Sequence, residues 1–148
     1  MKRILFLDFD GVLHPAGPGS AKFSRLGLLA DLLRDPAFAD VQIVVSSTWR
    51  EIHSLARLRG FFPPDLQPRV IGSTPVLDEY DSDYPRAEEI EAWLEEQSPA
   101  PAWAALDDDM QGISTRLKNR VVFTDSSIGL TAETLTMLRV LLANSNPA

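Results

Sequence analysis

The stretch Leu7–Leu13, LDFDGVL, sets two acids one residue apart directly after an apolar run and closes them with a glycine. Asp and Gly are the residues at which a strand ends and a chain reverses, so a turn is one account of the pattern. The other account is chemical. In an open parallel sheet, ligands bind outside the carboxyl ends of the strands, and a strand over Arg3–Leu7 delivers Asp8 and Asp10 to that position.

Outward from this stretch, short apolar runs alternate with segments of helical periodicity, the arrangement of an α/β protein on a mainly parallel sheet. Strands are expected at Arg3–Leu7, Val41–Val45, Arg69–Ile71, Trp103–Leu106 and Val121–Phe123. A helix over Phe23–Arg34 carries Leu26, Leu29, Ala30 and Leu33 at the spacing of one apolar face, widened by Leu28 and Leu32. The run SSTWRE supplies hydroxyls at a helix start, which predicts a short helix over Glu51–Leu58 that stops by Gly60. Arg86–Glu96 is a third helix, in which Ile90, Trp93 and Leu94 share a face and make the tryptophan a packing residue. A fourth begins at Thr131 and turns Leu135, Leu138, Leu141 and Leu142 to the core. The connections HPAGPGSA, FFPPDLQP and STPVLDEYDSDYP read as loops, and NSNPA as a loose tail.

A length of 148 residues suits one domain over 1–148, with 45% hydrophobic and 24% charged residues in the balance of a globular protein. No apolar run approaches membrane-spanning length, so a soluble, cytoplasmic chain is expected, away from membranes. The start MKRILFLDFD lacks a small-residue cleavage site and runs straight into acids, which argues against a signal peptide. The absence of cysteine excludes disulfides and thiolate metal sites. A net charge of −7 repels polyanions, so non-specific nucleic-acid binding is disfavoured.

Three strands end in reactive residue types: Asp8 and Asp10, then Ser46, then Asp107 and Asp108. Parallel strands put these ends on one rim. Close carboxylates repel by about 4 kcal/mol per pair at an effective dielectric near 20, and a divalent cation relieves that repulsion. Hard oxygen ligands with no Cys and only two His point to Mg²⁺.

On these residues the chain resembles the haloacid dehalogenase (HAD) superfamily of phosphohydrolases. DFDGVL is similar to its DxDG nucleophile motif and VQIVVSS to its second motif, a buried strand ending in Ser or Thr. Arg86 at a helix start is similar to the basic residue of the third motif, and WAALDDD to the paired acids of the fourth. The four occur in the superfamily's order and span residues 8 to 108. The ending TDSSIGLT before a helix is also similar to small HAD domains, some of them related to RNA-repair proteins.

The resemblance implies a Rossmann-like three-layer α/β/α fold on a five-stranded, mainly parallel sheet with minimal or no cap. It implies a Mg²⁺-dependent phosphatase acting through an aspartyl-phosphate. Asp8 would be the nucleophile and Asp10 the general acid and base, with the Asp10 backbone carbonyl toward the metal. Asp8 and Asp108 would supply metal carboxylates, and Asp107 either a direct ligand or an acid holding a metal-bound water. Ser46 would donate to the phosphoryl group and Arg86 would offset its charge. Gly11 would lie against the substrate phosphate; Ser47 and Thr48 either only cap the helix after the second strand or also set their backbone amides against that phosphate.

Arg50, Arg69 and Lys118 are rival basic residues. Asp109 reads as a helix N-cap, Asp125 as a loop acid, His53 as a helix-surface residue, and His14 as a loop histidine beside the site with a substrate contact open to it. The segments Gly11–Ser24 and Arg50–Pro85 are too short and broken for a folded cap. The site is therefore expected to be open, to a small phosphorylated molecule or to an exposed phosphate on a macromolecule. The acidic run Asp78, Glu79, Asp81 and Asp83 reads as a solvated loop. Two other functions share these features: a receiver-type phosphoacceptor, against which the acid-free VVSSTW counts, and a HAD fold acting as a catalytically silent binding module.

Overall fold

All five apolar runs form strands in the computed structural model, which describes residues 2–77 and 83–144. They are β1 (Arg3–Leu7), β2 (Val41–Val45), β3 (Val70–Ser73), β4 (Ala102–Asp107) and β5 (Val121–Phe123). Asp78, Glu79 and Asp81 of the acidic run, and the last four residues of the tail, lie outside the described residues.

The strands pair in the order β3-β2-β1-β4-β5, and every pairing is parallel. A parallel sheet needs crossover connections that cover both faces, so its strands are apolar on both sides. Leu5 and Leu7, with Ile43, Val45, Ala104 and Leu106, pack on α1 (Leu26–Arg34), α2 (Leu55–Gly60) and α4 (Ala132–Ala143). Ile4, Phe6, Val44, Trp103 and Ala105 face the other way, toward α3 (Pro85–Glu95), where Ile90 is buried and Trp93 meets the Phe6 ring edge-on at 5.5 Å. The result is a three-layer α/β/α arrangement. Leu29, Leu32 and Leu33 of α1 are fully buried, each worth about 1.5–3 kcal/mol of transfer free energy. No helix among the described residues is long and apolar enough to cross a membrane.

Several boundaries differ from expectation for identifiable reasons. The first helix starts at Leu26, three residues later than the apolar spacing suggests, because Phe23 has a left-handed φ of 60° that no helix accommodates. The stretch after β2 is split: Ser47 caps a 3₁₀ turn over Thr48–Glu51, the chain breaks, and Ser54 caps α2 anew. Arg69 stays out of β3 because it closes a 3₁₀ turn over Gln67–Arg69; its guanidinium donates to the carbonyls of Val41, Leu33 and Phe38, fastening the start of that strand to β2, to α1 and to the turn after α1. A further 3₁₀ turn, Thr115–Arg120, leads into β5. Thr131, expected as the first helical residue, instead caps α4, in reciprocal hydrogen bonds with Thr134.

The register determines what meets at the rim. Leu7 is level with Val45 on one side and Leu106 on the other, so the next residues, Asp8, Ser46 and Asp107, come level in turn. Backbone hydrogen bonds extend the ladder past the apolar run: Asp8 N–H to Leu106 O at 3.1 Å, Ser46 N–H to Leu7 O at 2.9 Å and Thr124 N–H to Asp107 O at 3.0 Å. From β1 the chain crosses to β2 on one side, and from β3 it returns through α3 to β4 on the other. The strand order therefore reverses between β1 and β4, the place where open α/β sheets hold ligands.

Candidate active site

At that switch point one carboxylate oxygen each from Asp8, Asp107 and Asp108 lie within 4.8 Å of one another. Asp8 and Asp107 are buried, and Asp108 is half-buried. Asp8 Oδ1 accepts from the Phe9 N–H at 2.8 Å, and Asp107 Oδ1 from the Asp109 N–H at 2.9 Å. Asp107 Oδ2 is buried without a hydrogen-bond donor; the nearest cation is Arg86, whose Nε lies 3.4 Å away from the first turn of α3.

Burial pushes the Asp8 carboxyl well above the usual carboxylate range, and the neighbouring Asp107 charge pushes it further. Burial likewise takes Asp107 up to about 6 against the opposing pull of Arg86. For Arg86 burial works against its charge, but Asp107 and Asp8 outweigh it and hold the guanidinium protonated. Three crowded oxygens and an orphaned Oδ2 suit a hard divalent cation, because Arg86 offsets their repulsion only in part and both buried acids stay raised. The donor set, all carboxylate, fits Mg²⁺.

Gly11 closes the cluster from above. Its φ is 78°, and a Cβ built on it would stand 2.1 Å from Asp108 Oδ2. Its N–H donates to His14 O at 2.9 Å and its carbonyl accepts from Thr124 Oγ1 at 2.5 Å. Ser46 and Ser47 are buried at the end of β2, where Ser47 Oγ accepts from the Trp49 N–H at 3.2 Å. Thr48 is exposed and lines a cavity of about 140 Å³ together with Arg50, Pro85, Arg86, Glu89 and Asp109.

The side chain of Asp10 lies outside the carboxylate cluster. Its Oδ1 sits 2.7 Å from His14 Nε2, and its Oδ2 accepts from Trp49 Nε1–H at 3.0 Å. Burial raises this carboxyl, but the His14 and Trp49 hydrogen bonds outweigh it and hold the group below its ordinary value.

Of the rival basic residues, Arg50 lines the Thr48 cavity with Arg86 but is already engaged, and Arg69 and Lys118 lie elsewhere. Arg50 is bound to the carbonyls of Ser47, Thr74 and Pro75 and to Glu89; Arg69 is the clasp on α1 and β2; Lys118 is in the turn at the amino end of β5. Asp109 Oδ1 accepts from the N–H groups of Gln111 and Gly112, so it caps a turn and no helix, and Asp125 is a loop acid bonded to Ser127. His53 is half-buried, its ring 5.6 Å from Trp49, in the break before α2.

Sequence reasoning passed over Trp49 and left His14 undecided. His14 had a local signal, four residues after Asp10 in one tight loop. For Trp49 the sequence offers none, because it reaches Asp10 across 39 residues.

Comparison with curated proteins and with solved structures gives no match. A family model, HAD domain in Swiss Army Knife RNA repair proteins, matches residues 4–135, which takes in all five strands but for Arg3, and the whole carboxylate cluster. The chain therefore belongs to the family of HAD domains found in Swiss Army Knife RNA repair proteins.

Proposed function

We propose that this chain hydrolyses phosphomonoesters, with Asp8 as nucleophile. The observation that carries the reading is the cluster of Asp8, Asp107 and Asp108 at the switch point with Arg86 against it. A Mg²⁺ ion would be held by Asp8 and Asp108, with Asp107 as a third carboxylate or as the holder of a bound water, and by the Asp10 backbone carbonyl. That ion supplies Lewis-acid stabilisation of phosphoryl charge.

The protein's own groups divide the remaining work. An Asp8 carboxylate oxygen attacks phosphorus, the bond from phosphorus to the leaving oxygen breaks, and Asp10, which must take up a proton in the substrate complex against the pull of His14 and Trp49, gives that oxygen its proton. Ionised Asp10 then takes a proton from water as the water oxygen bonds to phosphorus. The bond to Asp8 breaks, which frees inorganic phosphate and restores both carboxyls. Arg86 balances charge on Asp8 and on the phosphoryl oxygens, and Ser46 is at hand to donate to one of them.

Among the described residues, Gly11–Ser24 and Arg50–Pro85 carry no folded cap, which supports an open site. The family's connection with RNA repair makes a phosphate at an RNA end the first substrate to try. With a net charge of −7, recognition of such an end would be local to Arg86 and the Thr48 cavity.

Wild type and Asp8→Asn should be assayed on nitrophenyl phosphate and on oligoribonucleotides phosphorylated at the 5′ or 3′ end, with Mg²⁺ or with chelator. We expect Mg²⁺-dependent phosphate release by the wild type alone, and a beryllofluoride adduct that forms on wild type and not on the variant. Full activity in chelator overturns the metal assignment, and undiminished activity in Asp8→Asn moves the nucleophile elsewhere. Mg²⁺ binding without turnover on any ester favours a silent binding module.

A further inference from the structure

His14 is fully buried, yet it is a polar side chain in a loop beside the site. The loop turns tightly: Val12 N–H and Leu13 N–H both donate to Phe9 O, and the Gly11 N–H to His14 O, so residue 14 returns beneath residue 10. The Phe23 backbone N–H donates to His14 Nδ1 at 3.1 Å. That amide is aimed at the ring by the left-handed φ of 60° at Phe23, a conformation that an aromatic residue adopts only when its surroundings impose it. A backbone N–H can only donate, so Nδ1 is a bare acceptor and the neutral ring carries its proton on Nε2. The 2.7 Å contact is therefore Nε2–H donating to Asp10 Oδ1.

Trp49 holds the other oxygen. Its indole N–H can only donate, and it does so to Asp10 Oδ2 at 3.0 Å. The indole is fixed in turn by edge contacts with Phe9, Phe23 and Phe61 at 5.4–5.5 Å. The carboxyl between these donors is 45% exposed and, without them, would sample several rotamers.

We propose that His14 and Trp49 are positioning residues for Asp10, a two-donor clamp that presents its carboxyl to the leaving oxygen in one orientation. This rests on the phosphohydrolase reading above. His14 has no surface with which to meet a substrate, so it acts through Asp10. A group held within about 1 Å of its productive place can be worth about 10²-fold in rate, and proton donation itself about 10²–10⁴-fold. In the first step the clamp's contribution depends on how much the leaving group needs a proton; in the second, where Asp10 is the base for water, it is the same for every ester.

His14→Leu removes the donor, and His14→Gln keeps an N–H at the reach of Nε2. Trp49→Phe keeps an aromatic ring and removes the indole N–H. Each should be assayed with Mg²⁺ on an alkyl phosphate and on nitrophenyl phosphate, beside Asp10→Asn. For His14→Leu and Trp49→Phe we expect the first-turnover rate of leaving-group release to fall about ten- to a hundredfold on the alkyl ester and no more than about threefold on the aryl ester, followed on both by slowed hydrolysis of the aspartyl-phosphate, the step in which Asp10 is the base. His14→Gln should recover most of the loss.

Equal first-turnover losses on both esters, unslowed hydrolysis of the aspartyl-phosphate, or a Gln variant no better than Leu would overturn the clamp. Nitrogen-15 spectra of the wild-type imidazole provide a readout that needs no folded variant: Nε2 should be the protonated nitrogen, and protonation on Nδ1 instead refutes the geometry. If the wild type turns over neither ester with Mg²⁺ present, the phosphohydrolase reading fails and the role with it, even where the Nε2–H is observed.

Discussion

Gly11 is the residue where a single atom decides the site. With φ at 78° and Asp108 Oδ2 only 2.1 Å from where a Cβ would be, any side chain must push that carboxylate aside. Asp108 can move only by leaving Asp8 and Asp107, so the damage falls on the cation site before it falls on the fold. Gly11→Ala should weaken Mg²⁺ binding about 10–100-fold, the range usual when a residue that orients metal ligands is lost. Its circular dichroism should stay that of the wild type. Titration calorimetry with Mg²⁺ measures the first, and an unchanged affinity would detach Asp108 from the metal.

Between elements, the critical joint is the buried pair of Arg50, in the turn after β2, and Glu89, one turn along α3 from Arg86. Their side chains are 3% and 6% exposed and meet at 2.7 Å. Arg50 also binds the carbonyls of Ser47, Thr74 and Pro75, and Glu89 accepts from the Leu77 N–H at 3.1 Å. The pair ties the loop that follows β2 to the helix that carries Arg86. Glu89→Ala strands a buried guanidinium and should cost about 3–5 kcal/mol in urea unfolding. Replacing both partners with apolar residues, as in Arg50→Met with Glu89→Leu, should restore much of that stability but not the placement of Arg86. A loss in Glu89→Ala under about 1 kcal/mol, the value of an exposed pair, would refute the role of the joint.

The same scale shows what a sequence can disclose. β1, β2 and β5 were legible to the residue because each apolar run is bounded by a polar or turn-forming neighbour. Asp8, Asp107 and Asp108 could be gathered in advance by one rule, that parallel strands share a rim. The starts of α1 and α2 could not. Phe23 leaves helical geometry to reach His14, and the break near Ile52 follows from the Ser47 and Ser54 caps. The partners of Asp10 were hidden for the same reason: a Trp49 indole 39 residues distant has no local signature.

For the molecule as a whole, the crowded acids couple metal, protons and folding. Without metal, Asp107 titrates near 6 and Asp8 also well above the ordinary 3.8, so the folded chain holds protons that the unfolded chain releases. Stability changes with pH in proportion to protons bound unfolded minus protons bound folded, which is negative here. In chelator, then, the melting temperature should rise as pH falls from 8 toward 5. The rise should end near pH 4, where the unfolded acids protonate too. There Asp35, Asp40 and Asp65 act in the opposite sense: turn or arginine hydrogen bonds depress them, so their stabilisation is present above about pH 4 and is lost as pH drops through their folded values. Mg²⁺ should invert the upper limb, because it binds the ionised cluster. At a hundred times its dissociation constant it adds about 2.7 kcal/mol above pH 6, and that gain should fade below pH 6 as protons compete for the same oxygens. Scanning calorimetry from pH 4 to 8, with chelator and with Mg²⁺, gives two curves that should converge at the acid end and separate at the neutral end. Asp8→Asn should flatten the chelator curve. A melting temperature in chelator that stays level or falls between pH 8 and 5 would mean that these carboxyls are not strained by one another, and the case for a cation among them would go with it.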